Sequence, residues 1–225
     1  MSQQLMAFTN RIPIYDQVHK GIRKELFDFI ILAGTTQFND AQALENLQSK
    51  FNNLINLLRD HARHEDQFIH PLLKKNVPEM EHRLEADHVQ QDLLLNNLCT
   101  HFDEILKFAD PARRAQCGHQ FYQAMNYFVG EYLLHLHEEE HKITQLLWQN
   151  YSDEEILNAI MKLISSFTIA ETRLSYAVML PALNPDERVA LFNGLTTEKL
   201  QDLMSVAGKV LSTKEMEQLK QKILL

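Results

Sequence analysis

The stretch Leu134-His135-Leu136-His137-Glu138-Glu139-Glu140-His141 has an earlier echo in Asp60-His61-Ala62-Arg63-His64-Glu65-Asp66. In each copy a histidine stands four residues ahead of a glutamate: His61 with Glu65, His135 with Glu139. On a helix such residues lie one turn apart on the same face, so each pair presents an imidazole nitrogen and a carboxylate to one point. That is metal-ligand spacing. The downstream residues also correspond, with Ile69, Leu72 and Leu73 standing where Ile143, Leu146 and Leu147 do. The echo therefore reads as a repeated unit.

Working outward, the apolar residues keep a helical period on both sides of each pair. A first helix is expected from Pro13 through Ile14, Val18, Ile22, Leu26, Phe29 and Ile30, fading at Gly34-Thr35-Thr36. A second should open on Asp40 as N-cap and run through His61 and Glu65 to about Lys75. A third should span Pro78 to about Phe108, with His88 on its inner side. A fourth should follow the Asp110-Pro111 cap and carry His135 and Glu139 to about Asn150. Each half thus has a lone histidine on its first helix, His19 or His88, and a His-x-x-x-Glu pair on its second.

Four helices with short connections and inward apolar faces imply an all-α fold. The natural architecture is an up-down-up-down four-helix bundle over residues 13–150, followed by a C-terminal helical extension, residues 151–225. The extension should begin with a helix from Ser152 towards Leu180-Pro181. Pieces near 186–193, 197–211 and 213–224 should follow it. Residues 1–12 lack periodicity and read as a loose lead-in.

Composition excludes several function classes. The 225 residues carry a net charge of -8, which opposes binding to nucleic acid phosphates. No apolar run approaches the roughly 20 residues needed to cross a bilayer, and no secretory pattern opens the chain, so a cytoplasmic protein without a membrane partner is expected. Cys99 and Cys117, the two cysteines, sit within helical patterns as reduced, buried thiols. All eleven histidines lie between His19 and His141.

A shared core site would collect His19, His61, Glu65, His88, His135 and Glu139. Four imidazoles and two carboxylates suit first-row metals, iron above all, with manganese or zinc as substitutes. The duplication implies two ions. If both carboxylates bridge and a solvent-derived bridge is present, about two of roughly twelve octahedral positions stay open. An open position on ferrous iron is where dioxygen, nitric oxide or peroxide would bind.

The order His, His-x-x-x-Glu, His, His-x-x-x-Glu resembles the hemerythrin-like, or His-His-Glu cation-binding, family over roughly residues 13–150. The resemblance implies a four-helix bundle around a non-haem di-iron centre. His19, His61, His88 and His135 would be terminal ligands, while Glu65 and Glu139 would bridge. Oxygen-carrying hemerythrins have a further histidine four residues after the third-helix ligand, where this chain has Asp92. Their last carboxylate is an aspartate five residues after its histidine, whereas Glu139 stands at four. The chain is therefore more similar to regulatory members associated with oxygen or nitric oxide response, iron sensing and iron–sulfur repair.

The leading expectation is a di-iron protein that binds, senses or handles dioxygen, nitric oxide or reactive oxygen. An enzyme for iron–sulfur cluster repair or ferrous iron oxidation is the second reading. A metal-free helical interaction module is the third, with the C-terminal helices docking a protein partner. Beyond the six ligands, His64 and Glu138 occupy equivalent places that would orient ligands or face solvent. His70, His82, His101, His119, His137 and His141 read as surface or inter-helix residues, and Tyr132 as core edge or a gate beside the irons.

Overall fold

The computed structural model describes residues 11–223, and every regular element among them is helical. Residues 1–10, most of the expected lead-in, lie outside the described residues, as does Leu224 at the end of the last expected helix. No described helix is long and apolar enough to cross a membrane. The chain forms two compact units. The first contains Leu26–Lys162 with the described residues up to Ile14; the second contains Tyr15–Glu25 and the described residues from Leu163 onward.

Helix α1, Asp16–Thr35, contributes its later half to the first unit. Helix α2, Ala41–Phe68, starts where Asp40 accepts the Ala43 backbone N–H at 2.8 Å. Helix α4, Pro78–Lys107, and α5, Pro111–Glu138, each open on proline, whose missing N–H costs nothing in a first turn. Asp110 caps α5 by accepting from the Arg113 N–H at 2.7 Å.

These four helices each give one phenylalanine to a single cluster. Phe51 of α2 stacks on Phe102 of α4 at 5.1 Å and on Phe29 of α1 at 5.7 Å. Phe121 of α5 meets Phe51 edge-on at 5.2 Å. Each such pair adds about 0.5–1.5 kcal/mol beyond the area it buries, and the four rings bind the helices together. At the opposite end of the first unit's chain, Arg11 donates to the Trp148 and Tyr151 carbonyls at 2.8 and 2.7 Å. Trp148 in turn donates to the Ile12 carbonyl at 3.0 Å, so residues 11 and 12 are pinned rather than loose.

Two expected continuous helices are interrupted. The second ends at Phe68 instead of Lys75, because Pro71 can donate no N–H and its ring crowds the preceding turn; a one-turn α3, Pro71–Lys74, follows. The fourth ends at Glu138 and widens into a π turn over Glu139–Ile143 before α6, Thr144–Asn150. Both interruptions fall just after a proposed ligand glutamate. The His70 N–H bonds the Glu65 carbonyl at 2.9 Å, five residues back, and the Thr144 N–H likewise bonds the Glu139 carbonyl. The repeat thus extends to a matching departure from regular helix.

Helix α7, Asp153–Ser166, also ends earlier than expected. Thr168 and Glu171 form a reciprocal capping box that starts α8, Ile169–Met179. Then come a short 3₁₀ turn, Leu180–Ala182, and helices α9, Pro185–Phe192, α10, Thr197–Val210, and α11, Thr213–Ile223. Leu180, Phe192, Leu203, Ala207 and Leu219 form the second unit's core. Within that unit, Gly21 of α1 lies so close to Val178 of α8 that a Cβ would stand 2.8 Å from its methyl carbon. Cys99 and Cys117 are free thiols, half-buried rather than fully buried.

A buried arginine ties the second unit's later helices. Arg188 of α9 donates to the Leu180 carbonyl at 2.8 Å and to Glu215 of α11 at 2.7 Å. Hydrogen bonds from Ser212 and then the Arg188 charge pull the Glu215 carboxyl down to about 2. Such a carboxyl stabilises the fold above its ordinary 4.5 and loses that effect as pH falls through about 2. Replacing Arg188→Met should cost about 2 kcal/mol in urea unfolding at pH 7, the loss of a charge-assisted hydrogen bond. The difference from the unaltered protein should narrow as pH falls through the same window; a constant difference would refute the assignment.

Candidate metal centre

Five of the six expected site residues belong to the first unit, and the helices bring them together. The four-residue spacing does what it promised: His61 Nε2 lies 3.2 Å from Glu65 Oε1, and His135 Nε2 lies 3.3 Å from Glu139 Oε1. His88 reaches the same place from α4, its Nε2 3.7 Å from Glu65 Oε2 and 3.2 Å from His135 Nε2. Ligand atoms of Glu65, His88, His135 and Glu139 all lie within 4.8 Å of one another. Both glutamates are buried, Glu139 completely. The sixth residue, His19, lies in the second unit, fully buried on α1, its ring stacked 5.0 Å from Tyr15.

The donor set fits a cation. Ligands held about 2.1 Å from one ion at right angles stand roughly 3 Å apart, close to the spacing of the His88 and His135 nitrogens. Buried carboxylates in an apolar core otherwise carry a large desolvation cost. An ion among them offsets it.

Two residues absent from the expected set complete the surroundings. Asp66, next to Glu65, accepts from His88 Nδ1 at 2.9 Å and from His70 Nδ1 at 3.2 Å. A carboxylate on Nδ1 fixes the tautomer and leaves Nε2 to act as the ligand atom. His70, expected as a surface or inter-helix residue and not as part of the site, is buried, its ring stacked 5.2 Å from His88 and its Nε2 3.4 Å from Glu139 Oε1. A signal existed: Asp66 and His70 are themselves four residues apart.

Electrostatics follow from this geometry. Burial opposes the His70 charge, but hydrogen bonds to Asp66 and Glu139 and the charges of Glu65 and Glu139 outweigh it, pushing the imidazole up to about 10. For Asp66, burial works upward and the two histidines overcome it, holding the carboxyl well below its usual range. His135 is also raised, burial again being outweighed by Glu139. Burial and the charges of Glu65 and Glu139 keep the Tyr132 phenol protonated, its ring 5.9 Å from that of His135.

Other candidates face outward. Glu138 pairs with Arg83 at 2.7 Å and Lys142 at 3.3 Å, so it holds surface cations rather than a ligand. His137 and His141 are exposed, their rings tilted against each other with centroids 4.0 Å apart, and His64 is half-buried. Asp92, one turn beyond His88, is exposed and bonded to Arg59 at 2.8 Å.

A raised imidazole stabilises the fold fully below its ordinary 6.5 and loses that contribution as pH rises through the shifted value, here about 10. Chelator-stripped protein should therefore melt at progressively lower temperature across that interval. Asp66→Ala should flatten the fall, as circular dichroism melts at stepped pH would show. Equal slopes in both proteins would contradict the Asp66–His70 coupling.

Comparison with known proteins agrees with the geometry. The model of the hemerythrin HHE cation-binding domain matches residues 10–147. A BRUTUS-like zinc finger protein of Arabidopsis thaliana is 23% identical over 177 residues, which cover 79% of this chain and 14% of that protein. The chain thus spans a small part of the relative's length. No solved structure matches. The matched span takes in the two His-x-x-x-Glu pairs and both lone histidines, and the chain belongs to the hemerythrin family of HHE cation-binding domains.

Proposed function

We propose that the protein holds two iron ions with His19, His61, Glu65, His88, His135 and Glu139, and uses them to bind, sense or handle dioxygen, nitric oxide or reactive oxygen. The observation that carries this reading is the convergence of Glu65, His88, His135 and Glu139 within 4.8 Å in a buried core. Family membership points the same way, since the matched domain binds cations.

An up-down-up-down bundle over residues 13–150 is part of the proposal. On α1 and α4 the ligand histidine precedes the clustered phenylalanine, His19 before Phe29 and His88 before Phe102. On α2 and α5 it follows, His61 after Phe51 and His135 after Phe121. Helices that shared both a phenylalanine cluster and a ligand cluster would alternate in direction.

Ferrous iron with an open coordination position supplies reversible or redox chemistry with small gases and peroxide. The chain's own residues do the rest. Glu65 and Glu139 would hold the ions through carboxylate oxygens, the imidazoles would hold them through nitrogen, and Asp66 orients His88. Tyr132 supplies a buried, protonated hydroxyl on the same side as His135. Two free thiols fit a reducing, cytoplasmic setting. Residues 151–225 would serve as a helical extension that docks a protein partner.

Anaerobic loading with ferrous iron should give two irons per chain by colorimetric assay, falling below one in a His61→Ala, His135→Ala double variant. Exposure of the loaded, reduced protein to air or nitric oxide should change its ultraviolet–visible spectrum. An unchanged spectrum with both gases would sink the gas-handling reading, and undiminished iron in the double variant would sink the ligand assignment.

A further inference from the structure

We infer that His70 is a further metal ligand, a fifth imidazole beside the four of the repeated motif, so that the two metal positions are unequal. The inference rests on the di-metal reading above and extends it.

His70 and His88 are held alike. Both hang from the same Asp66 oxygen through Nδ1, at 3.2 and 2.9 Å, and both aim Nε2 at a glutamate of the cluster. For His88 that glutamate is Glu65 at 3.7 Å; for His70 it is Glu139 at 3.4 Å. The rings lie 5.2 Å apart and 30° from parallel, so one carboxylate presents a pair of imidazoles to the core. With Nδ1–H given to Asp66, Nε2 of His70 points at a Glu139 oxygen 3.4 Å away. A metal ion that displaces the Nε2 proton would be held by both atoms.

The position in the repeat argues the same way. By the correspondence of Glu65 with Glu139, His70 stands where Thr144 does in the second copy. Thr144 spends its hydroxyl on the Glu139 carbonyl at 2.9 Å, a local helix contact. His70 instead sits at the break between α2 and α3, where the chain turns its side chain inward. A donor present in one half and absent from the other closes a position on one ion only. Of the roughly two positions left open by six ligands, about one then remains, and an exogenous ligand is directed to a single metal.

Cobalt(II) substitution tests this without turnover. Each coordinated imidazole whose remote ring N–H is kept from exchange gives one exchangeable, hyperfine-shifted proton resonance. The unaltered protein with two cobalt ions should show five, and His70→Gln, still with two ions, should show four. Four in the unaltered protein, or the same number in both, overturns the role of His70 and leaves the di-metal site standing. Failure of the unaltered protein to bind cobalt or iron at all overturns both. Asp66→Ala, altered at a part-exposed carboxylate, should weaken metal binding by about 10–100-fold. The count on unaltered protein holds even if His70→Gln fails to fold.

Discussion

Two carboxylates sit in the apolar core of a helical protein, and most of the surrounding structure answers their charge. Glu65 and Glu139 are 3% and 0% exposed, burial that would cost several kcal/mol per ion without compensation. Compensation comes first from the helix itself, which returns a histidine to each glutamate one turn earlier. It comes next from α4, whose His88 reaches across to Glu65. A cation bound among these atoms would add positive charge at the point where the ligand atoms converge. The aromatic cluster of Phe29, Phe51, Phe102 and Phe121 holds the helices that keep those atoms in place.

The backbone bends to the same requirement. In both copies of the repeat the carbonyl of the buried glutamate accepts from an N–H five residues on. One copy accommodates this as a π turn, the other as a helix end before Pro71. Local widening of this kind is frequent at functional sites, because it re-aims side chains without unravelling the helix. Here it does so at the residue that carries the buried charge.

Much of this was legible from residue spacing. The two His-x-x-x-Glu pairs, the caps at Asp40 and Asp110 and the prolines at 78 and 111 act locally, within a turn, and a sequence displays such relations directly. Apart from its four-residue spacing from Asp66, His70 was hard to read for a geometric reason. On an unbroken helix it would lie nine residues past His61, about 180° around the axis, and so point away from the site. Only the interruption at Pro71 turns it inward. Asp66 was hidden similarly, one residue off the ligand face and half in solvent, its importance lying in contacts with His88 on another helix. The grouping of Tyr15–Glu25 with the second unit was equally hidden, since helix α1 continues through it without a break in its pattern.

These details bear on how a coordination set is distributed over a fold. Oxygen-carrying hemerythrins have an extra imidazole one turn beyond the third-helix ligand, whereas here that place is held by Asp92, turned outward to Arg59. On α4, therefore, the protein offers one imidazole to the core, His88. The nearest additional imidazole comes from the end of α2, oriented by the same carboxylate that orients His88. A metal position constrains where a nitrogen stands, not which helix delivers it. The second donor can be lost from α4 and supplied from α2 provided a helix break rotates the new residue inward and an acceptor fixes its tautomer, and Pro71 and Asp66 meet those two conditions.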